Sequence, residues 1–161
     1  MKTKILLLSA ICVSLLCACQ SKITSPEATS ISAVYAYNMT TLDNSNSPSG
    51  IVAKLNSANL IGCPQDFIDA YNNYISAWAG FANIEKKMYA QNLKKADSDL
   101  AEFISEYQKN PSLATVNLKS QWQNLATEID KASANLAMAF SALKNVGAKY
   151  NIAYEKPSSW L

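Results

Sequence analysis

The chain has 161 residues, 49% of them hydrophobic and 16% charged, with a formal net charge of +2 and no histidine. All 14 basic residues are lysine, so arginine is absent as well. Those two absences exclude a Ser-His triad, His-ligated zinc and an imidazole base on one side, and a bidentate guanidinium clamp for phosphate or carboxylate on the other.

The first residues read as a targeting segment. Lys2 and Lys4 precede the apolar run Ile5 to Leu16, interrupted only by Ser9 and Ser14. That charge-then-apolar layout is secretory. At about 1.5 Å per residue the run reaches about 18 Å, short of the ~30 Å hydrocarbon core, and so is not a membrane span. Leu16-Cys17-Ala18-Cys19 closes it. This tetrad resembles the lipobox of bacterial lipoproteins, with Leu at −3, a small residue at −1 and Cys at +1. The resemblance covers the signal peptide and its exit only. It implies cleavage before Cys19, diacylglycerol on the Cys19 sulfur and acylation of the new amino group. Several acyl chains meet the two-signal requirement for stable anchoring. Gln20 follows the cysteine, where Asp would imply inner-membrane retention; the resemblance therefore implies the outer membrane of a Gram-negative envelope.

Removal of residues 1–18 leaves 143, enough for one domain with a core. Lys2 and Lys4 leave too, so twelve lysines face twelve acids and the net charge falls to zero. No basic excess remains to suggest nucleic acid. Cys12 and Cys17 are lost with the signal and Cys19 is lipidated, which makes Cys63 the one free thiol. No P-loop, GxGxxG, HExxH or EF-hand spacing occurs, and the acids read as solvated helix faces. The expectation is no catalytic residue, no metal and no cofactor.

Residues 19–30 are small and polar around one proline and suit a lipidated flexible tether, with a helical domain over 31–161. Ile31, Val34, Tyr35 and Asn38 share helical spacing although Val, Tyr and Thr favour strand; a short helix is expected over 31–42. Asp43 to Gly50 is loop, and Ile51 to Leu60 a second short helix. Cys63-Pro64-Gln65-Asp66 starts the next helix, with Pro64 at its first position and Cys63 at or next to the cap. A thiol there is expected to have a lowered pKa, which makes Cys63 a candidate reactive thiol, the alternative being a buried inert cysteine.

Phe67, Tyr71, Tyr74, Trp78, Phe81 and Met88 then fall on one helix face. The row is core, or else a ligand or partner platform built from Tyr71, Tyr74, Trp78 and Phe81. The stretch from Cys63 to Trp78 also resembles a pattern of small envelope proteins without an assigned activity, which implies no chemistry. Over residues 90–110 the register drifts, and one bent helix or two, the second capped at Asp97-Ser98-Asp99, both fit. Asn110-Pro111 ends that region and starts a final helix running to Tyr150, about 60 Å long. Its series 129, 136, 143, 150 and 125, 132, 139 make a heptad seam that wants an antiparallel neighbour. Residues 151–161, with Pro157 and Trp160, read as a tail.

The fold expected is all-α: an elongated antiparallel helical hairpin thickened to a bundle by short N-terminal helices. Three functions fit. The first is a membrane-anchored, non-catalytic adaptor, chaperone or assembly factor with an envelope protein partner. The second is a small-ligand or lipid binder using the aromatic face. The third is a thiol-dependent role through Cys63.

Overall fold

The computed structural model describes residues 25–155. The signal peptide, Cys19, residues 20–24, Pro157 and Trp160 lie outside the described residues. Within them every regular element is helical: α1 Pro26–Asp43, α2 Pro48–Leu55, α3 Gln65–Gln91, α4 Leu93–Tyr107, α5 Pro111–Gln121 and α6 Ala126–Lys149, the last entered through a 3-10 turn at Gln123–Leu125.

Three helices start by one device, a polar cap followed by proline. Ser25 Oγ accepts from Ala28 N (3.1 Å), Ser47 Oγ from Gly50 N (3.2 Å) and Asn110 Oδ1 from Leu113 N (3.1 Å). Each cap satisfies an orphan donor, and the proline has no N–H to lose. This device moves two expected boundaries. Residues 26–30, placed in the tether, are the first turns of α1; and α2 begins at Pro48, inside the expected loop. At α3 the expectation is shifted by one residue: Pro64 is the cap itself, without a side-chain hydrogen bond, and Cys63 precedes it.

α3 and α6 are antiparallel neighbours. Asp66 meets Lys149 (3.1 Å), a Cβ on Gly80 would touch Ala132 (3.6 Å), Lys87 pairs with Glu128 (2.6 Å) and Asn124 donates to Gln91 (2.9 Å). The heptad seam supplies the contact, with Leu125, Ile129, Ala132, Leu136 and Leu143 buried. The same antiparallel pairing continues into α4 and α5, where Trp122 Nε1 donates to Asp99 (2.7 Å) and Asn117 to Glu106 (2.7 Å).

Both arms of this hairpin are interrupted at one level. Asn92 is extended (φ −160°, ψ 99°) and caps α4 through Lys95 N (3.0 Å), so the cap is Asn92 and not Asp97-Ser98-Asp99. Opposite it, Trp122 leaves helical geometry (φ −129°, ψ 61°). The single helix expected from 111 to 150 is therefore two. The hairpin doubles back on itself: Phe103 reaches Phe81 (4.8 Å) and Tyr107 reaches Trp78 (5.4 Å), while Lys119 pairs with Asp130 (2.7 Å) and Thr115 meets Ser133 (2.9 Å). Doubling lets each arm bury a second face, which a straight hairpin leaves in water.

α1 lies parallel to α3, with Tyr35 beside Phe67 (5.6 Å) and Asn38 accepting from Tyr71 (2.8 Å). It also touches α6, where the Tyr35 hydroxyl donates to Leu143 O (2.8 Å) over Gly147. A Cβ on Gly147 would collide with the Tyr35 hydroxyl. α2 runs back along α3, and its N-terminus is held by Glu85. That carboxylate accepts from Ser49 N (2.7 Å) and Ser49 Oγ (2.8 Å) and is 4% exposed, so this acid is no solvated face.

Candidate functional site

The aromatic row of α3 is core. Tyr71, Tyr74, Trp78 and Phe81 are all 3% exposed or less. Tyr71 spends its hydroxyl on Asn38 Oδ1 (2.8 Å) and Leu55 O (3.2 Å), and Trp78 and Phe81 are covered by Tyr107 and Phe103 of α4. As an open platform the four residues do not exist. Only Tyr74 borders free space.

That space is a cavity of about 230 Å³. Its position follows from the doubled hairpin. The turn between α4 and α5 comes down end-on against the last turn of α1, and Gln108 Nε2 bridges the joint to Leu42 O (2.8 Å). Side chains leave a helix sideways, so two abutting helix ends do not fill the room between them. Met39, Leu42 and Asp43 of α1 form one wall, and Tyr107, Gln108 and Pro111 the facing one. Tyr74 of α3 and Phe140 of α6 lie beneath.

The remaining wall comes from the expected tail. After α6 the chain reverses through Asn151, whose φ of 60° is left-handed. Asn151 N donates to Ala148 O (3.0 Å) and Ile152 N to Gly147 O (3.1 Å), the paired bonds of a Schellman ending. The reversal carries Tyr154 back over α6, where its ring stands edge-on to Tyr35 (4.7 Å) and Phe140 (4.8 Å).

The cavity's phenols are neutral. Burial pushes Tyr107 up to about 12, and burial likewise raises Tyr74 and Tyr154. The Trp78 indole N–H acts weakly on Tyr74 in the opposite sense, yet it makes no hydrogen bond of ordinary geometry. The Asp43 carboxylate adds to the rise at Tyr154. Tyr154 Oη is itself buried without a hydrogen-bond partner. A buried hydroxyl left unpaired costs about 1–3 kcal/mol. The walls otherwise offer carbon, the hydroxyls of Tyr74 and Tyr107, one amide and one carboxylate, groups that hold and orient a molecule.

Cys63 stands apart from this cavity. Its thiol is free and half-buried, and burial pushes its pKa up. The lowering expected from the α3 N-terminus is thus overturned: desolvation of the thiolate outweighs the helix dipole at a residue lying before the cap. Cys19 lies outside the described residues. Among the described residues no group of three metal-ligating side chains occurs, and no helix is long and apolar enough to cross a membrane.

Reading the sequence by faces located Tyr74 and misplaced the rest of the site. Tyr107 and Phe140 carry no local mark of a site, and Tyr154 falls in the expected tail. The Asn after Tyr150 was the one local sign that the chain turns back there. Comparison with protein-family models, with curated proteins and with solved structures finds no match for this chain.

Proposed function

We propose that this chain is a non-catalytic envelope lipoprotein, held in the outer membrane through lipid on Cys19, whose helical domain binds a small molecule of mainly carbon surface. The observation that carries the ligand reading is the cavity of about 230 Å³ walled by Tyr74, Tyr107, Phe140 and Tyr154. An apolar protein cavity of about 150 Å³ accommodates benzene, so by proportion this one suits about nine or ten heavy atoms. The lipobox supports the anchor and the envelope location. The reading is tested by native mass spectrometry of the protein purified from envelopes. A co-purifying small molecule, lost when Leu42→Trp fills the cavity, supports it. Ligand-free protein that also shows no thermal shift with an envelope small-molecule extract overturns it.

A second reading, the anchored adaptor for an envelope protein, is favoured by other residues. α5 turns Leu113 (46% exposed) and Val116 (59%) outward one turn apart, and Met138 (64%) overhangs a shallow groove between α3 and α6. Crosslinking in intact cells tests it: a partner recovered with wild type and lost with Val116→Lys supports the adaptor, and recovery of nothing counts against it.

A further inference from the structure

The walls of the cavity carry a sign of charge as well as a shape. We infer that the cavity is an aromatic cage for a small alkylated ammonium ion, a nitrogen bearing methyl groups, carried on a free solute or on a lipid headgroup. The inference rests on the reading that the cavity holds a ligand at all.

Four aromatic rings border the space. Phe140 and Tyr154 meet at an interplanar angle of 89° with centroids 4.8 Å apart and so form a corner. Tyr74 adds a third side, inclined 38° to Phe140 at 5.7 Å. Neutral aromatic rings present negative π faces, and a desolvated cation among several of them is attracted by each. A methylated ammonium suits this environment better than a lysine-like one. Its outer atoms are carbon, so it asks for no hydrogen bonds from walls that have few to give.

Among the described residues that line the cavity, the one charged side chain is acidic. Asp43, which has an interaction of its own, places a carboxylate on the wall. Leu42 and Asp43 end α1, so the negative end of that helix dipole points into the space. The positive end of α5 arrives from the opposite side but is blunted. Pro111 has no N–H, and Asn110 already takes the Leu113 N–H. Among the described residues no lysine lines the cavity. Lys144 lies with its ammonium 5.0 Å from the Phe140 centroid, so this ring already draws one cation.

The test sets a cation against its neutral twin. The detergent-solubilised mature lipoprotein is titrated calorimetrically with choline and with 3,3-dimethylbutan-1-ol, in which carbon replaces the charged nitrogen. The expected result is choline binding at least about tenfold tighter. Phe140→Leu and Tyr154→Leu should each weaken choline by about three- to thirtyfold while hardly changing the alcohol. Phe140→Tyr should retain binding, and circular dichroism checks that each variant is folded. Lys144→Gln should tighten choline, since it removes a competing like charge. Flotation of a Cys19→Ser protein with phosphatidylcholine vesicles but not phosphatidylglycerol vesicles would place the ammonium on a lipid; choline binding without flotation would place it on a free solute. Equal or tighter binding of the alcohol overturns the cage and leaves the small-ligand reading standing. Binding of neither at millimolar concentration, with ligand-free protein by mass spectrometry, overturns both.

Discussion

Gly147 shows how one missing carbon fixes the place of a whole helix. It lies on α6 where the Tyr35 ring of α1 crosses, and a Cβ there would run into that ring and its hydroxyl. Gly147→Ala therefore has to push α1 outward and stretch the bond from the Tyr35 hydroxyl to Leu143 O. Overpacking of this kind costs about 1–3 kcal/mol. The expected outcome is a lowered urea midpoint, largely restored by the second change Tyr35→Leu, which clears the space. Other residues were less legible. The periodicity of Phe67, Tyr71, Tyr74, Trp78 and Phe81 marks a face, and the face is buried as a core row should be. Periodicity carries no information on what covers a face, so it could not tell a platform from a core. Glu85 is harder still. It occupies an ordinary helix position for an acid, and only the arrival of the α2 N-terminus turns it into a buried partner of Ser49.

At the scale of elements, caps decide where helices stop and seams decide what they meet. Ser25-Pro26, Ser47-Pro48 and Asn110-Pro111 share one local chemistry and all three start helices, although only Asn110-Pro111 reads as a start against its surroundings, the other two lying in the expected tether and loop. The heptad series from Leu125 to Leu143 was likewise readable and does face an antiparallel partner. The register drift over 90–110 allowed for the break at Asn92 but not its place, and the break at Trp122 was not readable, since no glycine or proline marks it. Both breaks arise from tertiary packing: α4 and α5 bury a second apolar face only by folding over α3 and α6. A small polar assembly holds that fold. Trp122 Nε1 donates to Asp99 (2.7 Å), Lys95 pairs with the same carboxylate (2.5 Å), and the Lys95 ammonium stands 4.2 Å from the centre of the Trp122 ring. Asp99→Ala leaves the indole N–H without its acceptor. A loss of about 1–3 kcal/mol is expected. Asp99→Asn, which keeps an acceptor, should lose less, and paired urea titrations of the two variants decide the matter.

For the whole molecule, the tyrosines set the alkaline limit. Tyr35 and Tyr107 are each pushed up to about 12 by burial, and burial raises Tyr71, Tyr74 and Tyr154 as well. A phenol with a folded pKa above its unfolded value near ~10 holds its proton more tightly in the fold. Its contribution to stability is complete below about pH 10 and is lost as pH climbs through 10 towards 12. The urea midpoint should therefore fall across that window, with phenolate absorbance appearing together with unfolding and not before it. Titration of these phenols without any loss of helix signal would contradict the packing described.

The joint between Gln108 and Leu42 also bears on time. α4 and α5 form a paired unit hung at Asn92 and Trp122, and its free end meets α1 through that amide bond, while Phe103 and Tyr107 seat it on Phe81 and Trp78 of α3. The cavity lies at that joint and is partly open to solvent. On the ligand reading, Gln108→Ala removes this joint and part of a cavity wall together, so a bound molecule should depart faster. Stopped-flow kinetics would read this directly. Amide exchange in α4 and α5 should quicken in step, while the amides of α3 and α6 keep their protection.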